Sequence, residues 1–267
     1  LAGGQQYPAG TLYVVATPIG NLADVTLRAL HVLGLVDAIA CEDTRVTANL
    51  LRHLGLPAKP LLPLHHHNEA GASQGVLQRL ARGERVAYCS DAGTPAVSDP
   101  GARLVAEVRA AGHRVFPLPG ASSVVTALSA AGDARGAEQG FRFDGFLPAK
   151  GRERQARLEA LAAQPATTVL FEAPHRIEAL VTALALACPQ RPVTLARELT
   201  KQFESFHTDA AAALPSWLAG DPHRARGEFV VVLHALATAD ADAGDAEVER
   251  LLALLLRELP LRQAAAL

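Results

Sequence analysis

From Thr11 onward the chain alternates two hydrophobic periods. TLYVVA (11–16), VDAIAC (36–41), ERVAYC (84–89) and HRVFPL (113–118) are crowded with Val, Ile and aromatic residues. They read as strands too apolar to leave one face in water. Between them, DVTLRALHVLGL (24–35), TRVTANLLRHLG (44–55), EAGASQGVLQRLARG (69–83) and PGARLVAEVRAAG (100–112) space their apolar positions three and four apart. That period predicts helices. Asp24 is expected near the cap of the first, Gly55 closes the second, and Pro100 is expected in the first turn of the last. LLPLHHHN (61–68) is a short strand whose proline suits a sheet edge. Strand and helix in strict alternation imply an α/β domain, with a mostly parallel sheet covered on both faces.

After PLPG (117–120) the rhythm changes. ASSVVTALSAAG reads as a helix, and the strands FRFDGF, TTVLFE, RPVTLARE, FESFHT and GEFVVVLHA then follow more closely. Helices are expected around 152–163, 175–187 and 208–219. Strands at this density predict a mixed sheet, so residues 11–119 and 120–236 read as two α/β domains. ATADADAGDAE (237–247) is an acidic, small-residue linker. Beyond it VERLLALLLREL opens an amphipathic helical region at 248–267.

A chain of 267 residues, 49% of them hydrophobic, has enough apolar material for two such cores. Its net charge of -2 gives no global attraction to nucleic acid or membrane, so a polyanion must be met by a local patch. Cys41, Cys89 and Cys188 form no CxxC, which fits buried thiols in a reducing compartment. No apolar run approaches the length of a membrane span, so the expectation is a cytoplasmic protein with no membrane partner. There is no methionine. The lead LAGGQQYPAG is therefore read as other than the native start, and LPLRQAAAL as a helix cut short.

In a parallel sheet, ligands lie against the loops that leave the carboxyl ends of the strands. Four loops here occupy that position: ATPIGN, EDTR, SDAGTPAVSDPG and PLPGASS. Glycine lets backbone approach a ligand closely and proline sets its angle. Amides at the helix beginning near Ala121 favour an anion. No loop is a GxGxxG or a GxxxxGK[ST] phosphate motif. Each loop alone is ordinary turn-and-cap chemistry, but four on one edge suggest a backbone-lined slot for a nucleotide-like molecule. HHHNE places His65 and His67 on one strand face. With no second ligand cluster, no metal is expected.

The segments LYVVATPIGNLADVTLRAL, CEDTRVTANLL, HHHNE, SDAGTPAVSDPG, PLPGASSVVTALSAAG, FDGFLPAKGRER, FEAPHR, ARELTKQFE and RGEFVVVL, in this order, resemble the tetrapyrrole methylase superfamily. Within it they resemble the subgroup that methylates small-subunit ribosomal RNA. The resemblance runs from about Leu12 to His234. It implies two α/β domains with S-adenosylmethionine in a cleft between them, a homodimer, and a small helical C-terminal region that binds RNA. It further implies methyl transfer to the ribose 2′-oxygen of a decoding-centre cytidine in 16S rRNA, within the assembled small ribosomal subunit.

By the same resemblance Ser90, Asp91, Ala92, Gly93 and Thr94 form one wall of the cofactor site. The superfamily's Gly-Asp-Pro loop is Ser-Asp-Ala here, so atom-level contacts do not carry over. Pro18 lies at the floor, and Ala121, Ser122 and Ser123 meet the methionine end or the ribose. Phe171, Glu172, Leu199 and Thr200 come from the second domain, with Gly227 and Glu228 near the adenine. His67, Asn68 and Glu69 fall near the cleft or the dimer interface.

A ribose hydroxyl is a poor nucleophile, so the protein must position it and remove its proton. Glu42, Asp43, Glu172, His175, Glu198 and Lys201 are candidates, with Glu172, Glu198 and Lys201 carried as the catalytic set. Glu198 and Lys201 read equally well as a structural ion pair. Residues 142–157 hold five basic side chains against two acidic ones, which suits phosphate affinity without base specificity. A solvated helix start has the same composition. Lys150, Arg152, Arg154, His175, Arg176 and Arg45, with Arg52 nearby, are the RNA-binding candidates. Two rival functions share these loops: carbon methylation of a tetrapyrrole, and non-catalytic RNA binding with a relic cofactor site.

Overall fold

The structure is a computed structural model and describes residues 2–65, 69–98 and 100–236. The expected linker at 237–247, the helical region at 248–267, and His67 and Asn68 lie outside the described residues. Two compact units divide the chain. The first takes Leu1–Ala130 and Ala196–Ser205, and the second takes Ala131–Leu195 and the chain from Phe206 on.

The first unit is the alternation read from the sequence. Strands β1 (Thr11–Val15), β2 (Ala38–Cys41), β3 (Leu61–Pro63), β4 (Val86–Cys89) and β5 (Arg114–Leu118) form one sheet in the order β3-β2-β4-β1-β5. Every pairing is parallel. Helices α1 (Leu27–Leu35), α2 (Thr44–His53), α3 (Glu69–Ala81), α4 (Ala102–Ala110) and α5 (Ser123–Ala131) make the connections. β1, β2 and β4 are buried along their whole length, which is why they lack polar alternation. One face packs Tyr13, Val15, Ile39 and Leu33, and the other packs Leu12, Val14, Leu80 and Leu104. Proline-bearing β3 takes the edge, as expected.

Three local expectations need correction. Asp24 does not cap α1; it ends a short 3-10 turn, and the side chain of Thr26 accepts the Ala29 N–H instead. Pro100 precedes α4, whose cap is Gly101 at φ 118°, beside the ring of Tyr88. The α5 helix starts at Ser123, two residues after the expected Ala121. Cys41 and Cys89, distant in sequence, face each other in register across β2 and β4. Both are free and buried, and burial pushes both thiols up.

The second unit holds α6 (Ala134–Gln139), β6 (Phe141–Phe146), α7 (Gly151–Ala163), β7 (Thr167–Glu172), α8 (Pro174–Ala187), β8 (Pro192–Arg197), β9 (Ser205–Ala210), α9 (Leu214–Ala219) and β10 (Phe229–Leu233). Its strand order is β6-β7-β10-β8-β9. β6 runs parallel to β7 while β10 runs antiparallel, so the sheet is mixed. The helix expected at 208–219 is shorter, because β9 continues to Ala210 and one 3-10 turn follows.

Beside an aliphatic core of Leu170, Ile177, Leu180, Leu195 and Val231 lies a buried polar knot. Arg191, 3% exposed, donates to the carbonyls of His234 (2.7 Å), Leu161 (2.8 Å) and Ala166 (3.1 Å). Asp133 accepts from Thr167 Oγ1 and from the N–H groups of Gly136 and Ala235. Burial alone would raise this carboxyl, but these donors bring it below its usual range. His234 bonds Thr194 Oγ1 at 2.7 Å, and burial depresses its ring.

Candidate functional site

The four loops that leave the carboxyl ends of the first unit's strands are tied to one another by hydrogen bonds. Thr17 and Gly93 exchange two backbone bonds, each 3.0 Å, joining the loop after β1 to the loop after β4. Thr17 Oγ1 adds a bond to the Ser90 carbonyl at 3.2 Å. Thr94 Oγ1 donates to the Ala121 carbonyl at 3.0 Å, which brings in the loop after β5. Asp91 Oδ1 accepts the Asp43 N–H at 3.0 Å, which brings in the EDTR loop after β2. So Ser90, Asp91, Ala92, Gly93, Thr94, Pro18, Ala121, Ser122 and Ser123 lie in one connected rim.

Glycine makes two of these approaches possible. A Cβ on Gly120 would sit 2.6 Å from the Cβ of Ala16 at the end of β1. Gly93 holds φ +80°, a conformation that a side chain disfavours. The Asp91 side chain also has a local duty, orienting the loop that starts α2. Asp43, in turn, caps α2 by accepting the Arg45 N–H and pairs with the Arg45 guanidinium at 2.6 Å. Those bonds from Arg45 hold the Asp43 carboxyl at about 2, so it is a poor proton acceptor near neutrality.

A fifth segment joins this rim from far along the chain. Residues 198–204, between β8 and β9, belong to the first unit. Glu198 and Thr200 carry φ values of 52° and 67°, uncommon for residues other than glycine. Glu198 Oε1 pairs with Lys201 Nζ at 3.0 Å, and the Thr200 N–H donates to the Glu204 carboxylate. Thr200 Oγ1 is buried without a hydrogen-bond partner. Gly20 abuts the segment so closely that an added Cβ would meet Lys201 Cγ at 2.7 Å and Thr200 Oγ1 at 2.8 Å. Strain and an orphaned polar atom in one loop mark a functional candidate. Sequence reading selected Leu199 and Thr200 here but missed Thr17 and Gly20, although ATPIGN was in view. The signals that would find them are the pairing of that loop with SDAGTP for Thr17 and its packing on residues 199–201 for Gly20, which only the fold reveals.

In the second unit, Phe171 and Glu172 end β7, and Gly227 and Glu228 precede β10. Phe229 stands in register with Glu172, so the four residues share one end of that strand pair. The Phe171 ring packs edge-on against Phe143 at 4.9 Å and Phe146 at 5.5 Å. The side chain of Glu172 is fully buried, with Arg176 Nε 2.9 Å from Oε1 and Arg154 3.7 Å from Oε2.

The basic run 142–157 resolves into two classes. Arg142 and Arg157 both pair with Asp144, and Arg154 faces Glu172. Lys150 and Arg152 are exposed at the start of α7. Arg45 is exposed although paired, His175 is exposed at the start of α8, and Arg176 is half-buried. Among the described residues no three His, Cys, Asp or Glu side chains gather as metal ligands.

Comparison with known proteins adds three findings. Residues 11–215 match the model of the Tetrapyrrole (Corrin/Porphyrin) Methylases. The chain is 46% identical over 259 residues to the "Ribosomal RNA small subunit methyltransferase I" of Escherichia coli O157:H7, covering 97% of this chain and 89% of that one. It is 46% identical over 261 residues to the protein of the same name from Pseudomonas aeruginosa, covering 97% and 91%. Among solved structures it is similar to a cobalt precorrin-4 methyltransferase, with TM-score 0.60, 20% identity and coverage of 85% and 98%. A diphthine synthase gives TM-score 0.62, 17% identity and coverage of 84% and 90%. At these identities the structural likeness speaks to fold alone.

Proposed function

The chain belongs to the tetrapyrrole methylase family and, within it, to the ribosomal RNA small subunit methyltransferase I group; from that membership we propose that it methylates 16S rRNA at the ribose 2′-oxygen of a cytidine. Near-full-length identity with relatives of that name carries the reading. The substrate is the assembled small ribosomal subunit, and the enzyme acts in the cytoplasm as a homodimer. Among the described residues no helix is long and apolar enough to cross a membrane.

The residues present fit S-adenosylmethionine as methyl donor. Thr200 Oγ1 is a buried polar atom with no hydrogen-bond partner, carried by a loop that holds a positive φ and packs closely on Gly20. When bound, the cofactor supplies an electrophilic methyl group on a sulfonium sulfur. Pro18, Ser90, Asp91, Ala92, Gly93, Thr94, Ala121, Ser122, Ser123, Leu199 and Thr200 would hold it from the first unit. First-turn amides of α5 suit its carboxylate.

Glu198 accepts the proton of the ribose hydroxyl, and Lys201, paired to it, sets the carboxylate's orientation. Exposed Lys150, Arg152, Arg45 and His175 meet phosphates and so contribute affinity without reading bases.

Labelled S-adenosylmethionine, incubated with small subunits and separately with naked 16S rRNA from cells lacking the activity, tests this. Methylation of a 2′-oxygen blocks alkaline cleavage at that nucleotide. The expected result is label in one alkali-resistant dinucleotide from subunits, lost in Glu198→Gln. Label in alkali-labile nucleotides, or in neither RNA, would refute the reaction proposed.

A further inference from the structure

The turn at 147–150, between β6 and α7, must present Lys150 and the Arg152 that follows it without regular structure of its own, so something else has to hold its shape. The second unit shows what does. Arg176 NH2 donates to the carbonyls of Leu147 at 2.6 Å and Pro148 at 3.4 Å. Arg154 NH1 donates to the Pro148 carbonyl at 3.1 Å. Both guanidinium groups converge on Glu172, whose Oε1 also accepts the N–H of Ala173 at 3.0 Å. The Glu172 side chain is 0% exposed, that of Arg154 13% and that of Arg176 20%. Each arginine therefore bridges one buried carboxylate and the backbone of one turn.

We propose that Glu172, Arg154 and Arg176 form a buried clamp that shapes the Leu147–Gly151 turn, with both arginines acting as positioning residues rather than phosphate contacts. What the turn meets rests on the RNA reading above; the clamp itself does not. Withdrawing either guanidinium toward a phosphate would leave a buried carboxylate short of compensation, which is strongly unfavourable. The turn closes with Gly151 at φ +87°, and Lys150, extended at φ -162°, caps α7 without a side-chain bond. Lys150 and Arg152 are thereby set on a fixed support with their side chains in solvent. The arrangement assigns the five basic residues of this run to two jobs: Lys150 and Arg152 face outward without a carboxylate partner of this run, while Arg142 and Arg157 pair with Asp144 and Arg154 faces Glu172.

Charge-conserving substitution separates the clamp from a phosphate contact. Lysine keeps the charge of Arg176 but lacks the planar fork that spans Glu172 and the Leu147 carbonyl. A clamp role predicts that Arg176→Lys and Arg176→Gln behave alike. Amide exchange at Arg154 and Gln155, whose N–H groups close the first turn of α7 onto this loop, should quicken at least about tenfold in both. Small-subunit affinity should fall by roughly tenfold in both, the equivalent of one lost charge-assisted bond.

Glu172→Gln should also weaken RNA binding, whereas removing a negative charge beside true phosphate contacts would tighten it. The proposal is overturned by unchanged exchange in Arg176→Lys. It is equally overturned if Arg176→Lys binds as wild type while Arg176→Gln flattens the dependence of log K on log salt by about 0.9. Should Arg176→Gln fail to fold, Arg176→Lys retains the buried positive charge and still decides the exchange readout. Faster exchange with RNA affinity indifferent even to Lys150→Ala and Arg152→Ala would support the clamp and count against the RNA reading.

Discussion

Gly20→Ala probes whether the 198–204 segment is part of the cofactor site. The new Cβ would stand 2.7 Å from Lys201 Cγ, 2.8 Å from Thr200 Oγ1 and 3.0 Å from the Leu199 carbonyl oxygen. Non-bonded carbon atoms rest at about 3.5–4.0 Å, so roughly 1 Å of relief is required. Lys201 gives least resistance, though its Nζ is tied to Glu198. Thr200 is β-branched and its N–H is held by Glu204, while the Leu199 oxygen is backbone beside a buried side chain. The segment must therefore shift as a body, at a cost typical of overpacking, about 1–3 kcal/mol.

If this segment contacts S-adenosylmethionine in its present shape, that strain appears as about 5–150-fold weaker cofactor binding. Calorimetric titration reads it directly, and a melt run in parallel should fall by roughly 2–4 °C per kcal/mol. A lowered melting temperature with unchanged cofactor affinity would refute the reasoning, because the segment would then be packing and nothing more.

The matched control is Gly75→Ala, in the interior of α3 with nothing within 4 Å of the new Cβ. It should raise stability by about 0.5–1 kcal/mol in a thermal melt and leave cofactor binding alone. Arg191→Met orphans three buried carbonyls, and urea unfolding should show a loss of about 3–4 kcal/mol. His234 is depressed by burial, so its neutral form stabilises the fold fully above pH 6.5, and that stability is lost as pH falls through the depressed value. His234→Gln should flatten the fall in melting temperature just below pH 6.5, with His207, depressed for the same reason, and at lower pH the Asp133 carboxyl adding to what remains.

By itself the sequence determined the local structure of the first unit and the identity of its loops. Burial on both faces forces continuous apolar strands, so β1, β2 and β4 announce themselves, and edge strand β3 carries the proline that an interior strand would reject. SDAGTP and PLPG were legible because glycine and proline mark backbone that must turn or approach closely. Composition likewise exposed the basic run at 142–157.

The tertiary structure alone decided how these residues are used. Asp91 reads as a ligand contact, and only the fold shows that its Oδ1 also accepts the N–H of Asp43, 48 residues away in sequence. Arg154 and Arg176 read as RNA contacts, and only the fold shows Glu172 buried between them. Gly20 has no meaning until Leu199–Lys201 returns to lie against it. Periodicity reports which face of an element is dry, because burial repeats along the element. A partner distant in sequence leaves no periodic trace, and whether a charged side chain serves solvent, ligand or a buried counter-charge is set by that partner.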